Sequence, residues 1–221
     1  MSPAQTSNQA RINMVQSQLV PNNIIQVELL TGMRTLARED FLDPVQRDFA
    51  YSDHSVPVGG GSRRCLKPLQ IAQLLQALEI IAGDKVLVVG AGTGYEASLA
   101  ARLGAAVVVA LEFDAGLAAR GRELTAGSGV MWQVGPLAEG WFPQAPYDAI
   151  LFCGAVAAVP PPVLGQLARN GRLTAIVGRP GDVLMNAVLQ RGPGVGGRPQ
   201  VLFETNAFPL PGTGGAAPFV L

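Results

Sequence analysis

Apolar and polar positions alternate in two ways along this chain. Between Asn13 and Phe49, apolar residues at Met14, Leu19, Ile24, Ile25, Val27, Leu29, Leu30, Met33 and Leu36 recur at roughly helical spacing, which predicts two or three short helices. Pro68 opens a helix expected to run through Ile81, apolar nearly all round, with Gly83 just past its end. From Lys85 the pattern becomes regular. A Val86–Val89 run, a glycine-rich turn, a helix to Leu103, a strand at Ala106–Leu111, a helix from Asp114 to about Thr125 and a strand at Val130–Val134 follow one another. Further strands are expected at Tyr147–Phe152 and Arg172–Val177, with a helix from about Pro161 to Arg169 between them. Val183–Gln190 and Val201–Phe208, joined through turn-rich residues, read as an antiparallel edge pair. Continuous β-branched runs alternating with helices predict an α/β fold whose parallel sheet is covered on both faces.

Composition narrows the partners. With 221 residues, 48% hydrophobic and 14% charged, the chain has ample material for one buried core. Sixteen basic residues balance sixteen acidic ones without a basic run, so nucleic acid is not expected as a partner. Cys65, Cys153 and the single His54 supply neither a structural zinc set nor a disulfide framework, and no metal is expected. Residues 1–17 lack an apolar signal region, and the apolar stretch Lys85–Phe113 is broken by glycines, Glu96 and Arg102. A cytoplasmic protein without a membrane partner is the expectation, a monomer or small homo-oligomer.

The first candidate chemistry lies at Gly90-Ala91-Gly92-Thr93-Gly94-Tyr95, directly after a strand and before a helix. In a doubly wound sheet, ligands bind beyond the carboxyl ends of the strands, where glycine lets the backbone approach them. Any tight strand-to-helix connection also uses glycine, so the next strand matters. It ends at Glu112, 22 residues after Gly90, where a carboxylate accepts hydrogen bonds from both hydroxyls of an adenosine ribose. The dinucleotide fingerprint Gly-x-Gly-x-x-Gly needs glycine where this chain has Tyr95, which disfavours NAD.

Gly-x-Gly-x-Gly resembles motif I of the class I S-adenosylmethionine-dependent methyltransferases, whose three-layer Rossmann-like, seven-stranded sheet ends in an antiparallel hairpin. Several segments together resemble the protein-L-isoaspartate O-methyltransferase family: Leu36–Phe41, Ala50–Asp53, Val56–Gly59, Val86–Tyr95, Glu112, Ala145–Ile150, Gln166-Leu167 with Gly171–Leu173, and Phe208–Leu210. The resemblance implies methyl transfer from S-adenosylmethionine to the α-carboxylate of isoaspartyl residues in damaged proteins or peptides. A helical N-terminal cap and acceptor loop (1–67) and a cofactor-binding domain (68–221) would form one compact unit. Gly90, Ala91, Gly92, Thr93, Gly94, Tyr95 and Glu112, with Gly135 and Pro136, would hold the cofactor. Val58, Ser62, Arg63, Phe208, Pro209 and Leu210 would meet the acceptor.

Two departures from the family pattern stand out. The family carries a serine in a Thr-Ile-Ser-Gln-Pro-like motif before the helix, where this chain reads Arg63-Arg64-Cys65-Leu66-Lys67-Pro68. Counting back from Pro68 puts Leu66 at the serine position, whereas counting forward from Pro57 puts Cys65 there. A thiol is a weak donor and Leu66 is none, so Arg63 or Arg64 is a candidate to grip the acceptor carboxylate bidentately. After Val134, Gly135-Pro136 replaces a family Gly-Asp whose Asp contacts adenine. Losing one such hydrogen bond costs about 0.5–1.5 kcal/mol, which weakens cofactor binding without abolishing it. Two alternatives therefore stand beside the isoaspartyl reading: a non-catalytic relative that keeps the pocket, and a methyltransferase acting on another small carboxylate or metabolite. Other polar and aromatic residues are assigned blander roles. His54 is expected on a loop surface, Cys153 in the core, Asp148 in a turn or cap, and at least two of Trp132, Trp141 and Phe142 in core packing.

Overall fold

A computed structural model describes residues 3–61, 63–179, 181–193 and 199–214. Strand alternation builds its core. Val86 and Val88 pack into one apolar cluster while Leu87 and Val89 pack into another, as do Val108 and Ala110 against Val109 and Leu111. These strands, β3 (Lys85–Val89) and β4 (Val107–Glu112), follow a short antiparallel pair of two-residue strands, β1 (Pro57–Val58) and β2 (Arg63–Arg64). β5 (Val130–Val134), β6 (Tyr147–Val156), β7 (Leu167–Val177), β8 (Met185–Arg191) and β9 (Gln200–Thr205) complete a seven-stranded sheet. Its order is β5-β4-β3-β6-β7-β8-β9, parallel as far as β7, with β8 and β9 antiparallel. Strand order reverses between β3 and β6, which puts a ligand crevice at the carboxyl ends of β3, β4 and β6.

Helices α3 (Pro68–Leu78), α4 (Tyr95–Arg102) and α5 (Ala115–Leu124) cover one face. The N-terminal cap consists of α1 (Pro3–Met14), a π turn at Val15–Leu19, α2 (Val27–Thr35) and 3-10 turns at Arg38–Phe41 and Pro44–Phe49. Met14, Leu19, Leu29 and Met33 share one cluster with Leu74 and Val88, so cap and sheet have a common core. Among the described residues the second face carries α6 (Pro161–Leu164) and short turns. No helix among the described residues is long and apolar enough to cross a membrane.

Several boundaries differ from the sequence expectation, and at three element ends a tertiary hydrogen bond outcompetes local continuation. α3 stops at Leu78, not Ile81, because Glu79 turns left-handed (φ 48°) and Arg172 Nε donates to the Leu78 carbonyl at 2.6 Å. α6 ends at Leu164, not Arg169, because the Gln166 carbonyl accepts from Tyr147 N at 2.8 Å and β7 begins pairing at Leu167. β9 ends at Thr205, not Phe208, and Phe208–Leu210 crosses over to Ala155, where Leu210 N donates to Ala155 O at 2.8 Å. β6 continues past Phe152 to Val156 through an irregularity between Leu151 and Ala155, which sets Cys153 and Gly154 beside the crevice.

Candidate active site

The Gly90–Gly94 turn leaves β3 with φ 73° at Gly90 and 57° at Gly92, a backbone region that glycine enters without strain. A Cβ on Gly92 would meet nothing within 4 Å, so this face of the turn is open to close approach. Gly94 has another role: Trp132 packs where its Cβ would stand, 2.6 Å away. Glu112, at the end of the neighbouring strand, is fully buried. Its Oε1 accepts from the Phe113 and Asp114 amides at 2.9 and 3.2 Å, and its Oε2 accepts from the Gly92 amide at 2.7 Å. Backbone donors thus aim the carboxylate at the glycine turn.

Arg63 reaches the same carboxylate from β2. Nη1 donates to Oε1 at 2.8 Å and to Oε2 at 3.1 Å, while Nη2 donates to the Gly90 carbonyl at 3.0 Å. Sequence reading placed Arg63 with the acceptor, and its pairing with Glu112 was invisible there because 49 residues separate them. Leu210 covers the turn from above: a Cβ on Gly90 or Gly154 would lie 2.7 Å from its side chain. Phe208 is exposed and stacks under the Arg64 guanidinium, 4.6 Å from ring centroid to Cζ, and Arg64 Nη1 donates to Ser55 O at 2.8 Å. The hairpin and the C-terminal crossover therefore meet over the carboxyl ends of β3 and β6. Pro209 bridges to Ala155 within that crossover, and Ser62 lies outside the described residues.

Between hairpin and turn is a cavity of about 10 Å³, lined among others by Val58, Cys65, Glu96 and Cys153. Cys65 borders it and is half-buried, and desolvation pushes its thiol up to about 12, so it stays neutral at physiological pH. Leu66 packs in the core instead, and its carbonyl accepts from Arg38 Nη2 at 2.7 Å. Burial raises the carboxyl of Glu96 and raises the Cys153 thiol well above its usual value. The sequence did not assign Glu96 or Arg38 to the site, since a polar residue on a short amphipathic stretch gives no signal that it turns inward.

The remaining candidates fall as follows. Ala91 is buried in the core beneath the turn. The Thr93 hydroxyl donates to Phe41 O at 2.6 Å, tying the turn to the cap. Tyr95 is buried edge-on to Phe41, beneath the Arg38 guanidinium. Gly135 and exposed Pro136 stand at the end of β5, where Gly135 N donates to Glu112 O at 3.1 Å. His54 is exposed, Cys153 is buried, and Asp148 accepts from Lys85 N at 2.9 Å at the base of the sheet. Trp132 is buried and Trp141 packs against the second cluster, whereas Phe142 is exposed.

The family model described as Protein-L-isoaspartate(D-aspartate) O-methyltransferase (PCMT) matches residues 10–195. The chain belongs to this family. A protein-L-isoaspartate O-methyltransferase of Methylorubrum populi is 39% identical over 186 residues, covering 83% of this chain and 87% of its own. One of Methylorubrum extorquens is 38% identical over 192 residues, covering 86% and 83%. A solved protein-L-isoaspartate O-methyltransferase shares the fold with a TM-score of 0.76 at 21% identity, over 92% of this chain and 67% of that one. A putative one from Plasmodium falciparum, in complex with S-adenosyl-L-homocysteine, superposes with a TM-score of 0.75 at 16% identity, over 93% and 98%. Membership favours the isoaspartyl expectation over the two alternatives set beside it.

The site's donor set fits the family's cofactor. A buried carboxylate fixed by three backbone amides, next to a glycine turn with open approach at Gly92, suits a ribose diol. The oxygens a diol would engage are those now spanned by a single Arg63 nitrogen, Nη1.

Proposed function

We propose that this chain transfers a methyl group from S-adenosylmethionine to the α-carboxylate of isoaspartyl residues in damaged proteins and peptides, in the cytoplasm. The observation that carries this reading is the fully buried Glu112 carboxylate, held 2.7 Å from the Gly92 amide in a chain of this family. When bound, the cofactor supplies an electrophilic methyl group on a sulfonium.

The chain's own contribution is positioning. Glu112 and the Gly90–Gly94 turn would hold the ribose side of the cofactor, Gly135 and Pro136 would stand on its adenine side, and Leu210 covers Gly90 against water. A carboxylate acceptor is already ionised at neutral pH, so no general base is required. That suits a site whose thiol at Cys65 stays protonated up to about 12. Holding the acceptor oxygen in line is then the main catalytic task. An apolar cleft of about 470 Å³, lined by Phe49, His54, Val56, Pro57 and Arg64, offers the acceptor peptide a path to the hairpin. Residues 1–67 act as cap and acceptor loop for the cofactor-binding remainder.

The test is methyl transfer from labelled S-adenosylmethionine to an isoaspartyl peptide, with the matching aspartyl peptide as control. Label on the isoaspartyl peptide alone is expected. Equal label on both, or none from folded protein, would overturn the reading.

A further inference from the structure

The Glu112 carboxylate has no acceptor capacity left. It receives five contacts within 3.2 Å: three from backbone amides and two from Arg63 Nη1. A carboxylate offers about four lone-pair sites. The amides belong to the fixed turn and to the first residues after β4, so the guanidinium is the one donor there that is free to leave. A ribose diol therefore reaches Glu112 only by taking the place of Arg63.

The displaced guanidinium cannot lose its charge and needs a new anion. Beside the hairpin lies a cleft of about 180 Å³ lined by Gly61, Arg63, Arg64, Phe208, Pro209 and Leu210. Among the described residues this lining holds two arginines and no acidic side chain, while the half-buried Arg64 is already docked on Phe208 and Ser55 O. Arg63 lines this cleft as well as the small cavity at the glycine turn, so its side chain stands between the two. Gly60 and Gly61, with φ of 72° and 92° and nothing within 4 Å of a Cβ, give the hairpin tip room to follow.

We propose that Arg63 is a specificity residue that exchanges anions: it caps Glu112 in the free protein and, once released by the cofactor, binds the acceptor's carboxylate in the Arg64–Phe208 cleft. This rests on the proposed function and adds an order to it. Cofactor binding creates the acceptor site, and by linkage the acceptor tightens cofactor binding by the same factor. The exchange also explains how a chain without the family's serine holds a carboxylate.

The test is calorimetry with S-adenosylhomocysteine and an isoaspartyl peptide, on wild type, Arg63→Met and Arg63→Lys, each checked for folding by thermal melting. Arg63→Met is expected to bind S-adenosylhomocysteine about tenfold more tightly than wild type, because no closed state has to open. In wild type, saturating S-adenosylhomocysteine is expected to raise peptide affinity about tenfold, and that coupling is expected to vanish in Arg63→Met. Arg63→Lys, a single charge without the fork, is expected to fall between, and it carries the test if the methionine variant does not fold. Unchanged or weaker S-adenosylhomocysteine binding in the folded variants overturns the exchange. So does absence of coupling in wild type. If neither wild type nor variants bind S-adenosylhomocysteine, the functional reading itself falls, and the proposal with it.

Discussion

Two buried arginine–carboxylate pairs sit at opposite edges of the same sheet. At the base, Arg172 on β7 pairs with Asp84 just before β3, and it also donates to the Leu78 and Glu79 carbonyls at the end of α3. At the ligand edge, Arg63 pairs with Glu112. Both are well shielded from water, yet the two carboxylates depend on their arginines to different degrees. Besides Arg172, Asp84 Oδ2 accepts one backbone amide, that of Ile81 at 3.1 Å. Glu112 keeps three amides without Arg63. One arginine also joins a long strand to a helix end, whereas the other sits on a two-residue strand. The base pair is a staple, and the ligand-edge pair is a latch that can open without stranding its acid.

The largest effect expected from this contrast is on stability. Arg172→Met should cost about 3–5 kcal/mol, as removal of one partner from a buried pair does, and leave S-adenosylhomocysteine affinity unchanged. Arg63→Met should cost only about 1.5–3 kcal/mol, the range for hydrogen bonds to a charged group. Urea unfolding of both variants checks the order, and equal losses would erase the distinction. Next comes Glu112→Ala, expected to lower S-adenosylhomocysteine affinity about tenfold through loss of a charged acceptor, while Asp84→Ala leaves it unaltered in calorimetry.

A smaller effect concerns Glu96, a buried carboxylate at the ligand edge with no ion-paired arginine among the described residues. Desolvation raises its folded-state pKa above the usual 4.5, with the Arg38 charge opposing. The folded state therefore holds this proton more tightly than the unfolded chain. The stabilisation is full below about 4.5 and is lost as pH rises from there towards the folded-state value. Glu96→Gln should melt progressively higher than wild type as pH is raised from 4 to 8. A difference that stays flat or shrinks would show that Glu96 is not buried as a free acid.

Much of this was legible in the sequence, and what was not has a common cause. The Val86–Val89 run, the glycine turn and Glu112 could be read because each depends on neighbours along one strand–turn–helix path. Element ends at Ile81, Arg169 and Phe208 were misjudged because Arg172, Tyr147 and Ala155, distant in sequence, supply the hydrogen bonds that stop or redirect the chain. The same distance hid the Arg63–Glu112 pair, although both residues were singled out separately. Leu66 and Cys65 were indistinguishable by counting, since the choice depends on which of them turns towards the core. Leu66 does, and Cys65 borders the cavity.

The most direct measurement is a crystal structure of the wild-type protein with S-adenosylhomocysteine bound. The account predicts ribose hydroxyls on Glu112, with Arg63 released into the cleft beside Arg64 and Phe208 and the Arg172–Asp84 pair unmoved. Arg63 still on Glu112, with the ligand held elsewhere or the ribose bound by other residues, would contradict it.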